Sequence, residues 1–400
     1  MNMQKIAIQK RIMSIDILRG IAMVLMALDH VRDFFHITAW TDDPLNLETT
    51  TPTLFFTRWI THFCAPTFVF LSGVSIYLQS LRKTKNELSV FLMKRGLWLV
   101  FLEVTVISLG WSYNPNYNFI FLQVIWVIGI SMFLLGLLIQ VSYEFILGLG
   151  ILFVFGHNLL DFVESADGYK PTFLWDLLHH GNFAFYNLWG SHTAVVFYPI
   201  IPWSGLMMLG YCAGVFFTSK YSAEQRAKIF TWIGGDLLLF FVVLRFINIY
   251  GNPVVWSTQK SNFYTFLSFI NVHKYPPSLM YMCVTIGICL LSLVLIEKVE
   301  NRFTRILSIF GRTAFFYYIL HLYLIHFFAT IYFYANGHSV SESIANIQTN
   351  LWYFITPGEG FGLLGVYIIW ITVILTLFPL CKWYDSYKQS HKEKWWLSYL

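Results

Sequence analysis

The 400-residue chain is 57% hydrophobic and 19% aromatic but only 12% charged, which excludes an ordinary soluble domain, where about a quarter of residues are charged. Its net charge of +5 is dispersed among short loops rather than gathered in one patch, so nucleic-acid binding has no support. The composition predicts an all-α, polytopic transmembrane helical bundle.

Ten apolar runs approach the roughly 20 residues that cross a bilayer as helix. They cover approximately 12–36, 54–80, 90–111, 119–140, 143–162, 199–218, 228–250, 277–297, 306–334 and 360–381. Lys5, Lys10 and Arg11 precede the first run; Arg82, Lys83, Lys85, Lys94 and Arg95 lie between the second and third. Further cations occupy alternate loops, whereas 37–53, 112–118 and 335–359 contain no Lys or Arg. The positive-inside rule then places both termini in the cytoplasm.

The short apolar stretch Gly20 to Leu28 is followed by Asp29-His30 rather than a small-residue cleavage site, so it reads as a retained span. The five cysteines show neither a disulfide framework nor metal-ligand spacing, and no metal site is expected. No Asn-x-Ser/Thr acceptor occurs, which favours a bacterial inner membrane. Neither repeats nor low-complexity linkers interrupt the chain, and residues 1–400 read as one integral-membrane domain.

The first run carries Asp16, Arg19, Asp29, His30, Arg32 and Asp33. At 100° per residue, Asp16, Arg19 and His30 share a sector of about 60°, with Asp33 near its edge and Asp29 and Arg32 turned away. Asp16 and Arg19 are spaced to pair, and a purely structural pair at the helix start remains an alternative. His30 lies roughly 16 Å farther along the helix. Charges in hydrocarbon are costly and mark functional sites.

Counting along the other runs puts His62 at the depth of His30, with Pro66 removing a backbone donor four residues on. His321 falls past the midplane of the ninth run, Glu103 near the midplane of the third, and Arg312 at the depth of Arg19. Gln123, Asp236 and Arg245 complete the intramembrane polar set, while an interhelical hydrogen bond suffices to explain His326 and Asp236. The aromatic excess reads as interfacial belts.

Five blocks, "SIDILRGIAMVLMALDHVRDFF", "THFCAPTFVFLSGVSIYL", "FYPIIPWSGLMMLGYCAG", "PPSLMYMCVTIGICLLSL" and "FGRTAFFYYILHLYLIH", occur in that order. Together they resemble a bacterial membrane family similar to the catalytic domain of heparan-alpha-glucosaminide N-acetyltransferase. More loosely, Asp16, Arg19-Gly20 and His30 resemble the first helix of integral-membrane acyltransferases. The resemblance implies acyl-CoA-dependent transfer to sugars or glycolipids, with His30 as catalytic base, and it matches His321 and Gln123 to family positions. The lysosomal heparan enzyme has asparagine at the His30 position and a histidine in the loop that corresponds to "TDDPLNLETTTPT", which here has none. An acetyl-histidine on that loop is therefore not expected.

The resulting expectation is an acetyltransferase in which His30 takes the acceptor's proton and Asp33 orients it, with His62 or His321 as oxyanion donor or partner. Arg19, paired with Asp16, and Arg312 would hold acyl-CoA phosphates at the cytoplasmic face, with Gln123 on the donor path. The co-substrate would be acetyl-CoA, with no tightly bound cofactor. The acceptor would be a sugar, glycan or glycolipid under the outer loop 163–198, with its His179, His180 and His192. Membrane lipid is the other expected partner, and a homo-oligomer is compatible with the sequence. A proton-coupled permease using the same His and Asp stripe is the rival, but such transporters show repeats and paired broken helices that this chain lacks.

Overall fold

The computed structural model describes residues 12–346 and 351–398; Lys5, Lys10 and Arg11, used above for orientation, lie outside them. Among the described residues the chain is mostly helical with one small sheet. In order come α1 (Met13–Phe35), α2 (Pro52–Thr61), α3 (Cys64–Ser80), α4 (Lys85–Leu102), a π-helical turn (Glu103–Ile107), α5 (Ser108–Ser112), β1 (Phe119–Leu122) and α6 (Val124–Leu138). Then follow α7 (Tyr143–Gly156), α8 (Asp161–Glu164), α9 (Phe173–Leu178), β2 (Ala184–Trp189), β3 (His192–Val196), α10 (Ile200–Ala213) and α11 (Ala223–Ile247). The remainder is α12 (Asn262–Ile270), α13 (Leu279–Glu297), α14 (Arg302–Arg312), α15 (Ala314–Ala335), α16 (Val340–Asn346) and α17 (Leu363–Ser390).

Seven helical segments among the described residues are long and apolar enough to cross a membrane: Pro52–Ser80, Tyr143–Glu164, Ile200–Phe217, Ala223–Ile247, Leu279–Glu297, Ala314–Ala335 and Leu363–Ser390. The other expected spans are also helical but differ in kind. The charges of α1 set it apart, α4 runs into the π-helical turn, and α6 has only 15 residues. The run expected at 119–140 opens as a strand, because Phe119–Leu122 pairs in parallel with residues 193–196 of β3. The sheet order is β1-β3-β2, with β2 antiparallel to β3.

Local signals set the helix boundaries. Thr51 accepts from Leu54 N ahead of Pro52, and capping boxes open α4 (Thr84, Glu87), α11 (Ser222, Gln225) and α14 (Asn301, Thr304). The break between α2 and α3 has a chemical cause. Pro66 cannot donate to the carbonyl of His62, and the Tyr281 hydroxyl donates to that oxygen instead, at 2.9 Å. The start of α6 lies inside the bundle, where Glu103 Oε1 accepts from Gln123 N at 2.9 Å.

Helix α1 runs through the centre, packed against α2, α3, α13, α14, α15 and α17, and it is buried on every side. Its crossing with α14 is a backbone contact. A Cβ at Gly20 would lie 1.9 Å from Leu307 O, and one at Gly311 1.8 Å from Asp16 O, so neither position admits a side chain. The loops after α1 and β3, the segment around α12 and residues 351–353 gather at one end of the bundle. There Trp40 packs against Trp352 with 3.7 Å between centroids and the rings tilted by 30°, and Asn271 Nδ2 donates to Leu45 O.

Candidate functional site

Under these loops lies a cavity of about 1210 Å³. Its deep wall comes from α1 (Asp29, His30, Arg32, Asp33), from Arg58 and His62 on either side of the α2 terminus, and from Trp111 at the end of α5. Tyr318 of α15, Tyr198, and Lys274 and Tyr275 ahead of α13 close it, and Gln123 and Trp352 stand toward the sheet and the roof. The cavity thus joins the deep polar residues to the loop end of the bundle.

The charges of α1 that the helical wheel turned away from its stripe meet partners here. Asp29 receives Arg58 Nη1 on both oxygens, at 2.9 and 2.8 Å, and Arg32 Nη2 at 3.1 Å. Arg32 also holds Asp33 at 2.6 Å. Two carboxylates and two guanidiniums balance, as burial requires. Lys274 adds a further cation, only 8% exposed, whose ammonium lies 4.0 Å from Asp29 Oδ2. Asp33, the expected orienter of His30, is therefore engaged by Arg32.

His30 is oriented from behind by another histidine. Its Nδ1 lies 2.7 Å from His321 Nε2, and His321 Nδ1 lies 3.0 Å from the carbonyl of Tyr317. A carbonyl only accepts, so His321 Nδ1 carries hydrogen, and in the neutral ring its Nε2 is an acceptor. His30 Nδ1 must then be the donor. The lone pair of His30 falls on Nε2, the nitrogen left to face the cavity. His62, 1% exposed, has no hydrogen-bond partner on either ring nitrogen and lines the same cavity.

The site residues expected from sequence thus fall into two groups. His30, Asp33, His62 and Gln123 line the cavity, and His321 sits immediately behind His30. Asp16, Arg19 and Arg312 do not line it; they cluster at the α1–α14 crossing. There Arg19 reaches Asp16 and Gly311 O at 3.4 Å and Ser75 Oγ at 3.0 Å. Arg312 makes a two-pronged pair with Asp385 of α17, at 2.7 and 2.6 Å.

Other candidates are accounted for locally. His326 bridges the carbonyls of Gly110 and Tyr353, and Arg245 is held by the carbonyls of Ser268, Phe269 and Asn271 at the end of α12 and by that of Val254. In the loop 163–198 His179 contacts His157 and Glu164, His180 contacts Asp176, and His192 contacts Tyr117 O. None of these three loop histidines is among the cavity-lining residues. Asp161, Glu164 and His179 bring ligand atoms within 4.8 Å of one another, but Trp175, Asn158 and His157 already engage them.

Trp111, Tyr318, Arg58 and Lys274 escaped the sequence reading. The first two were absorbed into the aromatic belts, and the cations stand at the ends of runs, where loop charges are ordinary.

A bundle of membrane-length helices around a loop-roofed cavity, with a hydrogen-bonded histidine pair at its base, defines a multi-pass membrane protein with a buried reaction-type site. The chain belongs to the family described as heparan-alpha-glucosaminide N-acetyltransferase, catalytic, which it matches over residues 11–246, more than half its length. Membership points to membrane acetyltransferase activity. Comparison with curated proteins finds no match. The family match ends at residue 246, yet Lys274, Tyr275, Tyr318 and His321 of the site lie beyond it.

Proposed function

We propose that this protein moves an acyl group, acetyl in the simplest case, from cytoplasmic acyl-CoA to the hydroxyl or amine of an outward-facing sugar, glycan or glycolipid. The observation that carries the reading is the His30–His321 pair, which leaves a neutral imidazole nitrogen facing a large cavity. Such a nitrogen accepts the acceptor's proton as it attacks the thioester. The balanced Asp29–Arg58–Arg32–Asp33 cluster holds α1 and α2 together beside it.

In this reading the chain is one integral-membrane domain of ten spans in a bacterial inner membrane, with both termini cytoplasmic and the roofed cavity facing outward. The nucleotide end of the donor is assigned to the opposite end of α1, near Asp16, Arg19 and Arg312; Gln123, expected on the donor path with them, lines the cavity instead and is assigned to where the acyl end of the donor meets the acceptor. Arg312 would exchange Asp385 for a phosphate.

The test is transfer of label from radioactive acetyl-CoA into glycan or lipid of membranes carrying the wild-type chain or His30→Ala. Label that depends on His30 supports the proposal; equal labelling in both membranes defeats it.

A further inference from the structure

A lysine is almost never fully buried unless a partner takes up its charge. Lys274 is 8% exposed and lines the cavity, and its ammonium stands 4.0 Å from Asp29 Oδ2, beyond hydrogen-bonding distance. Among the described residues Nζ has no hydrogen-bond acceptor, yet it is not one of the polar atoms sealed from the surface. The accessible edge of this side chain therefore includes the charge itself, and the cavity is the space it meets.

The neighbouring charges do not absorb it. Asp29 already receives Arg58 on both oxygens and Arg32 on one, and Asp33 is held by Arg32. The deep wall thus carries three cations, Arg32, Arg58 and Lys274, against two carboxylates. Arg58 spends Nη1 on Asp29 and Thr61, while its Nε and Nη2 have no acceptor among the described residues and are likewise not sealed. Of the other charged residues lining the cavity, Arg245 is spent on backbone carbonyls. Asp42 and Asp43, in the loop after α1, accept from Asn46 Nδ2 and Leu45 N.

Both free cations are held in place by the protein. Lys274 sits on a tight loop in which Ser278 N donates to His273 O, and Asn252 Oδ1 accepts from His273 N and Ser278 Oγ, each at 2.9 Å. Arg58 is anchored at 2.8 Å to Asp29 Oδ2, the same oxygen that Lys274 approaches. Two donors from separate segments therefore converge one residue along α1 from His30, and a ligand need not order them.

We infer that Lys274 and Arg58 form a binding site for an anionic group, a phosphate or a carboxylate, carried by the sugar that enters this cavity. Such a group supplies the missing negative charge and accepts the unused hydrogen bonds. That the sugar is the acyl acceptor rests on the acyltransferase reading; that it is anionic does not. Lys274 lies beyond residues 11–246, so the family match carries no expectation for it.

The experiment uses the purified full-length chain with glucosamine, glucosamine 6-phosphate and muramic acid, the last two adding a phosphate or a carboxylate to the same amino sugar. Binding is read by titration calorimetry without donor, and turnover by thiol release from acetyl-CoA. The wild-type chain should bind one of the anionic sugars at least about tenfold more tightly than glucosamine. Lys274→Gln should cut that ratio about tenfold, and Lys274→Arg should keep it. The ratio is taken within each variant, so a loss of folded protein cancels. A wild-type ratio near one overturns the inference without need of a variant. A ratio that survives Lys274→Gln also overturns it: the lysine then serves the donor if acetyl-CoA binding weakens about tenfold, and merely neutralises Asp29 if it does not. Preferential binding of an anionic sugar with no thiol release supports the anion site and defeats the acyl-transfer reading.

Discussion

His30 Nδ1 and His321 Nε2 stand 2.7 Å apart although 291 residues separate them in sequence. The pair fixes the tautomer of His30 through Tyr317 O. His30→Gln should therefore abolish transfer while acetyl-CoA still binds, since Gln cannot take the proton; loss of a general base costs about 10²–10⁴ in rate. His321→Phe should lower kcat without moving acceptor KM, because it frees the His30 ring to turn. An acetyltransferase assay in which His30→Gln keeps half of wild-type turnover would reject the assignment.

The second prediction concerns the α2–α3 break. Tyr281→Phe removes the donor to His62 O and should destabilise the protein by about 1–2 kcal/mol. Pro66→Ala restores a backbone N–H four residues on from His62. The double variant should then recover most of the loss in a thermal or denaturant melt in detergent. Additive losses would show that the Tyr281 hydroxyl does not compensate for Pro66.

At the other end of α1, the Arg312–Asp385 pair separates two roles. Phosphate binding at Arg312 predicts that Asp385→Asn strengthens acetyl-CoA binding by removing the competing carboxylate, while Arg312→Gln weakens it. Equal losses of stability, with CoA affinity unchanged in titration calorimetry, would leave the pair a structural tie between α14 and α17.

Topology is tested with reporter fusions. Fusions after residues 45, 115, 180 and 345 should report the outside, and those after 85, 222 and 300 the cytoplasm. A cytoplasmic signal at 180 would reverse the side from which the acceptor enters.

The loop 163–198 should respond to pH. The hydrogen bond to Asp176 raises the His180 pKa above the ordinary imidazole value, against some loss from burial. A raised folded-state pKa means that the stabilisation is complete below the unfolded value of about 6.5 and is lost as pH rises through the folded one. The His180 side chain is 28% exposed, so the contribution is under about 1 kcal/mol. Amide exchange across 173–189 should be slower at about pH 6 than at about pH 8, corrected for intrinsic rates. Asp176→Asn should erase that difference; if it persists, another group is responsible.

Hydropathy was a good guide to the helices because each apolar run had to satisfy its own backbone. It failed at Phe119–Leu122, where a short apolar run precedes a helix and the pairing strand β3 lies some seventy residues on. His30 and His62 were legible as ionisable groups at matching depths, and His321 as one past the midplane of its run. The partners of Asp29 and Arg32 were not, because the wheel assumed one inward face and α1 is buried on all of them. Trp111 and Tyr318 were hidden by composition: nothing in an aromatic-rich chain marks the two rings that meet one imidazole.

The Gly20–Gly311 contact has a geometric consequence. His30 follows Gly20 by ten residues, and His321 follows Gly311 by ten, so each ring stands about 15 Å of helical rise from the same point. The crossing is a pivot with two arms of equal count, one in α1 and one passing through the turn at Thr313 into α15. Losing or gaining one residue in either arm would turn its histidine by about 100° and shift it by about 1.5 Å. Side chains around the cavity can change without altering the two helices, but the length of each arm is set by the need for the two rings to meet.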